Sequence, residues 1–411
     1  MRRLSWLLGL LSACNVTPAR LTGGADLPSR GACPRGLAVV SSDFQSSEVA
    51  LLWPDGGIAS SAFMSSASSS ASNLAAPLSG DLTVRASSVR ANELVLVDRF
   101  GTNVLTFVDA KTAQVRAQLS IGTGFESNPQ DYLEVDEHKA YVPRLSENRT
   151  PGREPFDAGS DLLLVDPEVP AIIGSLPLPR QPGFVPNPVA VTRLDDLVLV
   201  TLQHARADYT GMSDSELVAV NVADESLRYR LPLTGLQNCG RAELSPSGAL
   251  LVVACASFVD RTGEASDPSG SGIVWLDATV EPPRELGRWL ATDLVGGPIQ
   301  SRLEVVTDEL VLFKSQTAQG AQRDNQLLAL ELRSGKTELL ATAARDAAGR
   351  GYGIAFGGIS CRAGCGDPCL VTDASRGRLL RFTLEAGTLE PGLDIVLGGA
   401  GLPPLGITPF W

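Results

Sequence analysis

Two histidines are all that this 411-residue chain offers to imidazole chemistry. His138 stands in the charged turn Asp136-Glu137-His138-Lys139 and is expected to face solvent, so a His-based relay or a two-His metal centre would have to rest on His204. The sequence contains no G-x-S-x-G elbow, no P-loop and no H-E-x-x-H pair. Oxygen ligands leave one route open, because calcium needs only carboxylates and carbonyls and Asp208, Asp214, Asp260 and Asp267 are available. The segment Asp267-Pro268-Ser269-Gly270-Ser271-Gly272 is turn-like but lacks D-x-D-x-D-G spacing, so calcium is the one cofactor entertained and none is expected. Asp43, Asp98 and Asp373 recur at one place in a repeat and read as turn residues whose side chains bond the local backbone.

Sulfur gives a clearer signal. Arg2 and Arg3 precede the apolar run Leu4 to Leu11, too short to span a bilayer, and the run ends in Leu11-Ser12-Ala13-Cys14. This resembles the signal peptide and lipobox of bacterial lipoproteins, which implies cleavage before Cys14, lipidation of Cys14 and a place in the cell envelope. Asn15 in place of Asp at the next position makes the outer membrane the default, facing either the periplasm or the outside. Residues 1–13 are then the signal peptide, 14–32 a Gly/Pro-containing tether and 33–411 the folded body.

Six further cysteines, Cys33, Cys239, Cys255, Cys361, Cys365 and Cys369, form an even set, as expected of disulfides in an exported chain. Cys239 and Cys255 flank two strand-like runs around Ser245-Pro246-Ser247-Gly248 and are placed to staple adjacent strands. The cluster at 361, 365 and 369 has no nearby His and lacks the C-x2-C-H haem spacing, so one local bridge plus one to Cys33 is the simpler reading than a metal site.

The elements that must position these residues are strands. Short Val/Leu-rich runs separated by Asp, Gly, Ser and Pro fill the body, and no long 3.6-period segment appears. The clearest unit runs Leu94 to Asp109 and on through Thr112 and Val115 to Gly122, as strand, tight turn, strand, turn, strand. It returns at Val39 to Trp53 and Leu370 to Leu384, and with longer inserts at Ala140 to Leu178, Leu197 to Leu233, Leu251 to Leu290 and Leu310 to Leu340. Inner-strand candidates precede the units, as at Pro188 to Thr192 and Arg241 to Ser245. Seven units of four strands predict an all-β, seven-bladed β-propeller. The first unit lacks an inner strand and the chain ends in a spare one, Pro404 to Thr408, so the C-terminal strand is expected to complete the first blade. Ser60 to Ser72 is read as a flexible surface loop.

Residues 94–122 resemble the YVTN-type repeat of lactonase-like seven-bladed propellers, and Gly240 to Gly248 is similar to its recurrent inner-strand turn. The resemblance implies fold and export far more than activity.

With strands lettered a to d outward from the channel, every b–c connection falls on one face. Units three to six carry long b–c inserts, Arg144 to Ser160, Gln203 to Ser215, Ser257 to Gly272 and Lys314 to Asn325. They would raise a crescent bearing Arg149, Arg153, Glu154, His204, Arg206, Asp208, Tyr209, Asp260, Arg261 and Arg323 besides the terminal Arg144 and Lys314. Loops on a rigid scaffold are where binding concentrates, although exposed inserts also drift in length without function. A net charge of −12 argues against nucleic acid or anionic lipid as partner. The expected function is a lipid-anchored binding or scaffold module for a protein or envelope partner, touching the membrane only through its lipid. The alternative, by fold analogy, is a metal- or cofactor-dependent enzyme, a lactonase-like hydrolase or an oxidoreductase.

Overall fold

A computed structural model describes residues 33–67, 74–258, 268–316, 324–344, 355–399 and 401–411. The signal, Cys14 and the tether lie outside these residues. Seven antiparallel sheets stand in a ring. Their inner strands are Pro404–Phe410, Leu82–Ala86, Leu133–Asp136, Pro188–Leu194, Cys239–Leu244, Ile299–Val305 and Phe356–Ser360, for blades one to seven in turn.

The second strand of each blade is buried on both faces, which explains its near-continuous apolar reading, as in Glu93–Asp98 and Leu197–Leu202. Alternation then decides which neighbour each side chain meets. In blade one, Ala38 and Val40 pack toward blade two with Leu94 and Leu96, whereas Leu37 and Val39 pack toward blade seven with Leu370 and Leu379. The same division recurs around the ring, giving seven apolar clusters, each shared by two adjacent blades. No blade buries its faces alone.

Closure follows the expected route. Pro404–Phe410 pairs antiparallel with Gly36–Ser42, the second strand of blade one, and Thr408 Oγ1 donates to the Val84 carbonyl of blade two at 2.9 Å. Tight packing near the axis selects glycine: a Cβ on Gly240 would lie 1.8 Å from the Ser301 carbonyl oxygen, and one on Gly357 2.2 Å from that of Leu405. The six cysteines of the body pair as Cys239–Cys255, Cys361–Cys369 and Cys33–Cys365, the last tying the entry to blade one to the a–b connection of blade seven.

Two sequence expectations need correction. Ser60 to Ser65 is not loop: it belongs to Ile58–Ser65, the outer strand of blade one, with Phe63 and Met64 buried against blade two. Serine-rich composition hid a strand with only two large buried apolar side chains. Asp98 reaches beyond its own turn. Its carboxylate accepts from the Ser79 N–H and hydroxyl, both at 2.7 Å, tying the blade one–two linker, while Asp43 does bond the local Gln45 and Ser46 N–H groups.

Candidate functional site

The inner strands present alternate residues to the channel, and together they enclose a cavity of about 460 Å³ lined from all seven blades. Its polar side chains come from a pattern visible only across blades. Arg241-Ala242-Glu243 in blade five and Arg302-Leu303-Glu304 in blade six occupy the same strand register, so a period of two sends each Arg and Glu to the lumen. Arg85 of blade two and Arg362, just after the inner strand of blade seven, complete the charged lining.

Asp131, wholly buried, organises part of this set. One carboxylate oxygen accepts from Arg85 Nε at 2.5 Å and the Tyr132 N–H at 2.9 Å; the other accepts from the Arg241 guanidinium and from the Val191 N–H at 3.0 Å. Burial alone would raise this carboxyl, but Arg241, Arg85 and the Val191 N–H hold it below the usual carboxylate range. Arg241 also donates to the Val191 carbonyl at 2.8 Å and lies 3.5 Å from Glu243. Glu304 accepts the Cys361 N–H at 3.0 Å, and burial together with the Glu243 charge pushes its carboxyl up to about 8.

Arg302 differs from its counterpart Arg241. Its side chain is exposed, but only to the solvent of the lumen, and among the described residues it makes no hydrogen bond or ion pair. Burial within the ring and the nearby Arg99, Arg85 and Arg241 lower it to about 10. Arg362 stacks on the Trp411 ring at 5.4 Å and leaves its Nε buried without a hydrogen-bond partner among the described residues. Among the described residues four guanidinium groups, Arg85, Arg241, Arg302 and Arg362, thus line the lumen with Glu243 and Glu304, inside an acidic chain.

The loop crescent is present where it is described. The b–c loops of blades three and four meet over two open depressions, one lined by Glu147, Asn148, Arg149, Pro151, Ala207 and Asp208, the other including Arg180, Phe184 and Ala207. Arg149, Arg153, Glu154, Arg206, Asp208 and Tyr209 are exposed on these loops. Asp260, Asp267, Arg261 and Arg323 lie outside the described residues. Among the described residues no three His, Cys, Asp or Glu side chains converge as a metal site.

Arg144, His204 and Lys314 are not on the loop surface. Arg144 is fully buried in the strand Lys139–Glu147 and grips Asp161 with two bonds, 2.8 and 2.6 Å, while donating to Thr123 Oγ1 at 2.7 Å and the Phe156 carbonyl at 2.6 Å. His204 is buried with Nε2 3.1 Å from Glu216, a carboxylate also bound by Arg230 at 2.7 and 2.8 Å; the His204 Nδ1 has no hydrogen-bond partner among the described residues. Lys314 is buried in Leu310–Gln316, its ammonium donating to the Gly357 carbonyl, and burial with Arg302 nearby lowers it to about 7. A larger depression of about 730 Å³ lies between blades five and six on the opposite face; Trp275, Leu286 and Val306 line it and no buried charges converge there.

No protein-family model matches the chain, and no curated protein matches it. Solved structures share the ring. The chain is similar to a candidate 6-phosphogluconolactonase from Bacteroides fragilis, at 10% identity over 92% of this chain and 99% of that one, with a TM-score of 0.56. A protein from Lactobacillus plantarum gives 12%, 91%, 98% and 0.56, and a candidate 6-phosphogluconolactonase from Bacteroides uniformis 9%, 91%, 99% and 0.55. At such identities the likeness shows the fold alone. The chain is a seven-bladed β-propeller with lactonase-like structural neighbours.

Proposed function

We propose that this chain is an exported, lipid-anchored propeller that works as a binding or scaffold module, presenting the b–c loops of blades three and four to a protein or envelope partner. The observation that carries this reading is that these loops are built rather than slack. The Arg144–Asp161 pair fixes the root of the blade-three loop, and Asp157 gathers the N–H groups of Gly152, Arg153 and Glu154 at 2.8 to 3.1 Å near its tip. Asn187 ties both roots together, accepting from the Ala205 N–H at 3.1 Å and donating to the Leu145 carbonyl at 3.1 Å. Inserts that drift in length have no need of buried polar anchors, whereas a preorganised surface loses less entropy when a partner binds. Three disulfides and the Cys14 motif support export and lipidation.

The test places a photo-reactive residue at Arg149 or Asp208, and at Arg333 on the opposite face, in the native envelope. A discrete adduct from the loop positions and none from Arg333 is expected; equal labelling of both faces, or none, would sink the reading. A lactonase-like hydrolase is the second reading, favoured by the named neighbours and the carboxyls Glu243 and Glu304 in the lumen. Hydrolysis of 6-phosphogluconolactone by the full chain, lost in Glu304→Gln, would put it first.

A further inference from the structure

We infer that the central channel is a binding site for a small molecule carrying an oxyanion, carboxylate or phosphate, with Arg302 as its principal ligand. The inference is independent of the loop surface, since it concerns the lumen.

Three observations carry it. First, Arg302 and Arg241 hold equivalent positions, yet Arg241 is tied by the buried Asp131 while Arg302 has no carboxylate among the described residues. A guanidinium offers five donors in a planar fork that matches a carboxylate or phosphate edge, and here that fork opens into solvent. Second, four guanidinium groups, Arg85, Arg241, Arg302 and Arg362, line the lumen although the whole chain carries −12. An arginine held among other arginines without an anion is repelled by them, so a bound anion would remove a repulsion as well as add hydrogen bonds. Third, the cavity's roughly 460 Å³ lies in the range of small-molecule sites, about 300–1,000 Å³. Gly240 keeps blades five and six in close approach beside Arg302, a spacing that any side chain there would break.

The experiment is calorimetric titration and thermal unfolding of the full chain in detergent, using inorganic phosphate and succinate as probes in a low-chloride buffer. Binding of at least one probe with a raised unfolding midpoint is expected, weakened tenfold or more in Arg302→Gln and unchanged in Arg333→Gln. Unliganded Arg302→Gln should be as stable as the parent or more so, because the change removes a repelled cation. Response to phosphate alone assigns the phosphate group, and response to succinate alone the carboxylate. No response to either probe, a response that survives Arg302→Gln, or a destabilised unliganded variant would overturn the inference.

Discussion

Glu304 lines the lumen half-buried and Lys314 is buried in the same blade, and their proton affinities pull stability in opposite directions. Glu304 is raised from 4.5 to about 8 by burial and Glu243. Between those pH values the unfolded chain has lost this proton and the folded chain retains it, so stability falls as pH rises through the window. Lys314 is lowered from 10.5 to about 7 by burial and Arg302. Between those values the unfolded chain keeps its proton and the folded chain does not, so this contribution increases with pH. Glu304→Gln should therefore flatten the decline of the urea midpoint across the lower window, and Lys314→Met the rise across the upper one; slopes identical to the parent's would show that neither group titrates abnormally. Neither placement was legible from the chain itself. Lys314 and Arg144 each end an apolar run, where a charge reads as the start of a loop because burying it is costly without a partner. Arg144's partner Asp161 lies across the insert, 17 residues on, and Asp131 lies 110 residues from Arg241. The repeated Arg-x-Glu of blades five and six was the available signal, since two charges at period two on an inner strand must share one face.

At the scale of elements, the seven units and their closure were legible because each second and third strand is sandwiched between neighbouring blades and is therefore mainly apolar. Outer strands were less legible, and Ile58–Ser65 shows why: its outward face is only partly buried, and Ser and Ala suffice over most of it. The closing strand Pro404–Phe410 carries a prediction of its own. Phe410 is 5% exposed, packs in the blade one–two cluster, and its carbonyl accepts the Arg35 N–H at 2.7 Å. Phe410→Ala should cost about 3 kcal/mol, read as a lower urea midpoint with an unchanged slope. Removing residues 404–411 should instead leave the buried edge of Gly36–Ser42 unpaired and yield aggregated chain. A truncated chain that unfolds like the parent would mean that the ring closes without this strand.

A ring built of sequential blades has one seam where the chain's two ends meet, and this molecule fastens it twice. The closing strand joins blade one to the C-terminus, and Cys33–Cys365 bridges the entry to blade one and blade seven across 332 residues. The other two bridges span 16 and 8 residues within single blades. If a bridge acts by restricting the unfolded chain, the long one contributes about 6 kcal/mol and the shorter ones about 3 kcal/mol each. Replacing Cys33 and Cys365 by Ser should thus lower the denaturation midpoint about twice as far as replacing Cys239 and Cys255. An equal or smaller loss would mean that the seam is already held by the strand and the apolar cluster that Leu37, Val39 and Ile407 share with Leu370 and Leu379. The larger loss would tie the stability of the whole disc to oxidation at its seam, and production of the chain in a reducing compartment, where all three bridges are lost, should lower the midpoint beyond that of the double variant.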